Sequence, residues 1–99
     1  MPIHVISRDR TANTGVASIR VLENNENRTY ASFINNSANI IWLAKADVAL
    51  VNQGIRLNAN GGSYEITPLN PWKGRVAAIA AGAASVLCIT EDEAREYTT

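Results

Sequence analysis

Short apolar runs alternate with polar, turn-forming segments along most of this chain. Residues 28–91 carry Ile40-Ile41-Trp42-Leu43, Gly54-Ile55-Arg56-Leu57, Tyr64-Glu65-Ile66, Val76-Ala77-Ala78-Ile79-Ala80 and Val86-Leu87-Cys88-Ile89-Thr90-Glu91, separated by asparagine- and glycine-rich turns. Runs of this length and spacing predict an all-β fold, an antiparallel β-sandwich or jelly-roll-like barrel with at least seven strands and little helix.

The first quarter has a different texture. Ile3-His4-Val5-Ile6 predicts a short strand, whereas residues 7–15 are polar and read as turn. Residues 16–22 place Ala17, Ile19 and Val21 on one side and Ser18 and Arg20 on the other, the pattern of a half-buried strand. Residues 23–27 have no apolar anchor and predict an exposed loop. In residues 29–34, Tyr30, Ser32 and Ile34 share one face, while Thr29, Ala31 and Phe33 share the other. Apolar groups on both faces predict a strand covered on both sides, by the second sheet and by a neighbour or a subunit. Residues 43–51 favour helix by composition but lack a cap, so a loop with at most one helical turn is expected.

Two hairpins are predicted. In the first, Gly54-Ile55-Arg56-Leu57 and Ser63-Tyr64-Glu65-Ile66 flank a turn containing Asn60-Gly61, with Arg56 and Glu65 facing outward as a cross-strand pair. In the second, residues 75–80 join residues 85–91 through Ala81-Gly82-Ala83. The tail carries a Thr90-x-x-Glu93 capping pattern, so a terminal helical turn and a solvated acidic tail both stay open. The expected organisation is one domain, with an N-terminal arm and short strands over residues 1–27 and a β-sandwich core with a short acidic tail over residues 28–99.

Composition narrows the functional classes. The 99 residues suit one modest core to which a partner subunit could add stability. Nine basic and nine acidic residues cancel, so the basic field that drives nucleic-acid binding is missing, and no nucleic-acid partner is expected. No apolar run approaches the ~20 residues of a membrane helix, and Met1-Pro2-Ile3-His4 does not resemble a secretory leader. Synthesis and folding in a reducing cytoplasm are expected, with no membrane partner. The sequons Asn27-Arg28-Thr29 and Asn35-Asn36-Ser37 then read as turn chemistry.

Little in the chain suggests chemistry. The single cysteine, Cys88, reads as a small buried hydrophobe within a strand, and the single histidine, His4, lies at the far end of the chain. One Cys and one His do not make a closed zinc set, and the acids Glu23, Glu26, Asp47, Glu65 and those over residues 91–96 fall on turns or outward positions. No catalytic residue, metal ligand or cofactor is expected, and the chain reads as a non-enzyme. Trp72, between Pro71 and Lys73 in a loop, reads as a plug at the end of the sandwich, an interface anchor or a sugar-stacking platform. Trp42 shares a face with Ile40 and reads as core.

Taken together, residues 28–91 resemble a small β-sandwich domain of tailed-bacteriophage virion accessory proteins, of the capsid-decoration and head-fibre type. The resemblance lies in the order Ile34-Asn35-Asn36-Ser37, Ile41-Trp42-Leu43, Gly54-Ile55-Arg56-Leu57, Gly61-Gly62, Tyr64-Glu65-Ile66, then residues 72–80 and a closing Val-Leu-x-Ile-Thr-Glu strand. It implies a non-enzymatic virion protein, made in the host cytoplasm, that forms a cyclic homo-oligomer, a trimer by preference, and binds the major capsid or another virion protein. Expected interface residues are Ile3 and Val5, through strand addition to a neighbour, with Tyr30 and Trp72. The alternative is a carbohydrate-binding module or a host-binding fibre or tail component, in which Trp72, Tyr64 or Tyr30 would stack on a glycan.

Overall fold

The computed structural model describes residues 3–96, and among the described residues there is no helix. Eight strands are formed: β1 (Ile3–Thr14), β2 (Ile19–Leu22), β3 (Arg28–Asn35), β4 (Ile41–Ala44), β5 (Ile55–Leu57), β6 (Ser63–Ile66), β7 (Val76–Ala80) and β8 (Ser85–Glu96). They build two four-stranded antiparallel sheets, ordered β1-β8-β3-β6 and β2-β7-β4-β5. The expected all-β, sandwich-like architecture is therefore present. Each strand of the first half pairs with its mirror-image partner in the second: β1 with β8, β2 with β7, β3 with β6 and β4 with β5.

Both predicted hairpins are absent. β5 and β6 lie in different sheets, as do β7 and β8. Alternation correctly turns Arg56 and Glu65 outward and Leu57 and Ile66 inward, but facing strands of two sheets share a core just as hairpin partners do. The loop after β5 shows what diverts the chain. Asn60 and Gly61 have φ of 59° and 119°. The Asn60 and Gly61 amides donate to the Ser37 and Asn35 carbonyls, both at 2.8 Å, and the Asn35 amide donates to the Gly62 carbonyl at 2.8 Å. The turn is thus tied to the end of β3 and carries the chain across to the other sheet. Arg56 and Glu65 consequently do not pair. Arg56 Nε donates to Asn58 Oδ1 at 3.0 Å, and Glu65 Oε2 accepts from the Tyr30 hydroxyl.

Two terminal expectations also change. Residues 7–14 continue β1 instead of turning, and the tail is strand up to Glu96 instead of helix or free chain. The two segments stabilise each other through a twelve-position antiparallel register from Ile3 opposite Glu96 to Thr14 opposite Ser85.

The core lies between the sheets. Phe33, Leu22, Ile41, Leu43, Leu57, Ile66, Val76, Leu87 and Ile89 are buried there, each 2% exposed or less. Asn35 is also buried at that end of β3, and its amide group donates to the Asn39 and Leu57 carbonyls at 2.7 and 3.1 Å while its oxygen accepts from Ser37 Oγ. A satisfied buried amide of this kind fixes the loops that meet there. β7 is buried on both faces: Val76, Ala78 and Ala80 face the core, while Ala77 and Ile79 pack with Trp42 and Ala49. The small side chains of β7 thus let a second apolar layer close over the outside of its sheet. Cys88 departs from expectation. Leu87 and Ile89 take the inward positions of β8, which leaves Cys88 half-exposed on the outer face.

Candidate functional site

The two sheets differ in reach. β3 meets β8 as far as Glu93, and the Ala94 amide still donates to the Asn27 carbonyl at 3.0 Å, so β1 and β8 run on as a short two-stranded ribbon only from there. Twelve extended residues span about 40 Å at ~3.3 Å per residue, and the protein measures 47 by 21 by 21 Å. β1 is the outer edge of its sheet along this length.

At the base of the ribbon, the inward positions of β1 and β8 are charged. Arg8 and Arg10 on β1 face Glu91, Glu93 and Arg95 on β8, beside Glu23, Asn24 and Asn25 of the β2–β3 loop. The Glu93 carboxylate is covered by its own partners, accepting from Arg95 Nε on one oxygen and Arg8 Nη1 on the other. These contacts, Arg95 first and then Arg8, hold its pKa below the ordinary carboxylate range. Both arginines remain about half exposed (52% and 53%), so solvent and salt weaken this cluster. On the opposite face, Thr90 Oγ1 donates to Asp9 Oδ1 at 2.7 Å, and Val5 is 63% exposed.

Where the ribbon leaves the sandwich, Arg28 is wholly buried. Its Nε donates to Glu91 Oε2 at 2.8 Å, Nη1 to the Trp72 and Gly74 carbonyls at 3.1 and 2.9 Å, and Nη2 to the Glu23 carbonyl at 2.6 Å. A β-bulge after Arg28 explains its burial. The register runs Arg28 opposite Glu93, then Tyr30 opposite Asp92, so the extra residue returns Arg28 to the inward face. One side chain therefore ties β8, the β2–β3 loop and the loop before β7 together.

The residues expected at an interface occupy two regions. Ile3 and Val5 lie on the ribbon, with the Ile3 backbone opposite Glu96 and Val5 opposite Ala94. Tyr30 lies on the outer face of the same sheet, half-buried, with its hydroxyl bound to Glu65. That hydrogen bond, with a smaller contribution from burial, raises the Tyr30 pKa. Trp72 sits apart from these. It packs half-buried against the core, its Nε1 donates to the Arg75 carbonyl at 3.0 Å, and its ring is so close to Gly74 that a Cβ there would lie 2.7 Å from Cζ2. The aromatic residues weighed as a stacking platform thus do not form one strip: Tyr30 is on the outer sheet face, while Tyr64 and Trp72 share Lys45 at the end of the sandwich.

Sequence reasoning overlooked Arg28, Lys45 and the charged ribbon. Period-two charge at Arg8 and Arg10, answered by Glu91, Glu93 and Arg95, was a readable sign of two strands pairing. Arg28 gave no such sign, because a bulge is not visible in alternation.

Among the described residues, no group of three or more His, Cys, Asp or Glu gathers as a metal site, and no helix is long and apolar enough to cross a membrane. The chain matches no protein-family model, no curated protein and no solved structure.

Proposed function

We propose that this chain is a non-enzymatic virion protein of the capsid-decoration or head-accessory kind, which self-associates as a cyclic oligomer, a trimer by expectation, and docks on the shell. Under this reading it is made in the host cytoplasm and ends in the particle. The sandwich is read as a jelly roll. Support comes from the mirror-image pairing of the eight strands, the pattern left when one long hairpin folds over on itself, and eight-stranded double-sheet jelly rolls recur in viral capsid domains.

The projecting ribbon carries the assembly reading. Its outer strand presents an open edge, and an open edge can take a strand from a neighbouring chain through backbone hydrogen bonds. Arg8, Asp9 and Arg10 on that edge disfavour indiscriminate pairing and restrict it to a partner whose charges answer them. The alternative of a carbohydrate-binding module or host-binding fibre component has less support, because the aromatic side chains are dispersed.

Val5→Glu tests the assembly reading with little risk to the fold, since Val5 is 63% exposed. The expected result is an unchanged melting temperature with loss of the oligomer and of particle binding. A variant that assembles and binds particles like the unaltered chain removes the ribbon from the interface.

A further inference from the structure

The long loop between β4 and β5 folds beside the end of the sandwich and borders an open surface cavity of about 450 Å³. Its accessible walls are largely apolar: Ile55 from β5, Val48 and Leu50 from the loop. Val48 and Leu50 are 60% and 53% exposed, so the cavity leaves hydrocarbon surface uncovered.

The polar groups at this cavity share one character. The Lys45 ammonium lies 5.5 Å from the Tyr64 ring centroid and 5.9 Å from that of Trp72. No carboxylate among the described residues pairs with it. The nearby acid Asp47 is engaged by Arg75 at 3.1 Å. The Tyr64 hydroxyl accepts from Asn70 Nδ2 at 2.9 Å, and its own proton has no acceptor among the described residues. Burial alone would raise the Tyr64 pKa, but the Lys45 and Asn70 contacts outweigh it and leave the phenol below its ordinary value. The cavity therefore offers a cation that has no carboxylate partner, beside the Tyr64 hydroxyl and above an apolar floor.

A group that satisfies both must accept hydrogen bonds and carry negative charge, and a carboxylate does so with two oxygens. We infer that the β4–β5 cavity binds an aliphatic monocarboxylate, its carboxylate on Lys45 Nζ and the Tyr64 hydroxyl, and its hydrocarbon chain against Val48, Leu50 and Ile55. This site is independent of the assembly reading.

The probe is hexanoate, titrated into the full chain and followed by amide chemical shifts. Shifts should saturate and concentrate in residues 43–55 and at Tyr64. Hexan-1-ol, which keeps the chain but lacks the charge, should bind at least about tenfold more weakly, as should acetate, which lacks the chain. Lys45→Met should weaken hexanoate by at least about tenfold and leave hexan-1-ol unchanged, an outcome that unfolding could not imitate. Val48→Asp, at an exposed position, should abolish hexanoate binding while the melting temperature holds. Shifts that never saturate or that scatter over the surface overturn the site. Equal binding of hexanoate and hexan-1-ol, or of hexanoate by the Lys45→Met protein, does so as well.

Discussion

Replacing Arg28 should damage this protein more than any other charge change. Arg28→Ala removes four donated hydrogen bonds at once, one to Glu91 and three to the carbonyls of Trp72, Gly74 and Glu23. Glu91, only 18% exposed at its side chain, is left without its cation. Removing one partner of a buried pair costs about 3–5 kcal/mol, because the remaining charge stays buried and uncompensated. The three lost bonds to part-buried carbonyls argue for the upper part of that range, since each hydrogen bond contributes about 0.5–1.5 kcal/mol. A domain of this size has about 5–15 kcal/mol in total, so the variant should fold marginally at best. Urea titration read by tryptophan fluorescence measures this. With m near 1.5 kcal/mol/M, a loss of about 4 kcal/mol moves the midpoint down by about 2–3 M. The double change Arg28→Met with Glu91→Leu should recover a substantial part of the loss, because it replaces the pair by packed hydrocarbon instead of breaking it. A shift under about 1 M for Arg28→Ala, at unchanged m, would refute the view that this side chain holds three segments together.

Two further changes probe the loops and the ribbon. Gly54 has a φ of +83°, and a Cβ there would lie 2.4 Å from the Leu43 carbonyl oxygen, so Gly54→Ala should cost on the order of 1–3 kcal/mol by thermal melting; an unchanged melting temperature would contradict the observed loop conformation. The depressed pKa of Glu93 makes ribbon stability pH-dependent. The carboxylate's contribution is complete above its unfolded value, about 4.3, and disappears as pH falls through the lower folded value. Glu93→Gln should therefore flatten the acid limb of the stability curve, and should do so less at high salt, where the half-exposed arginines are screened. An acid limb identical to that of the parent would show that Glu93 is not the group responsible.

Alternation made most strands legible, because inward positions such as Ala31, Phe33, Leu57, Ile66, Leu87 and Ile89 had to be apolar. It could not say which sheet a strand joins. The Asn60-Gly61 signal predicts a β5–β6 hairpin, yet that same turn hands the chain to the opposite sheet through bonds to Asn35 and Ser37. The polar half of β1 escaped notice for a related reason. Its inward positions, Arg8 and Arg10, meet Glu91 and Glu93 instead of the core, so hydrophobic patterning is silent where charge patterning was informative. The apolar run around Val5 reads as strand in the sequence, but that this strand forms an edge is set by the sheet order, in which β1 is outermost and the other terminal strand, β8, is internal. Lys45 was not legible, because only the fold brings the β4–β5 loop beside Tyr64 and Trp72.

The assembly account rests most directly on the native mass of the unaltered chain, measured by light scattering or native mass spectrometry at tens of micromolar and repeated with purified particle fractions. It predicts a discrete closed oligomer, three copies by expectation, together with co-sedimentation of the chain with particles. A mass of one chain at every concentration, with none carried down by particles, would contradict it.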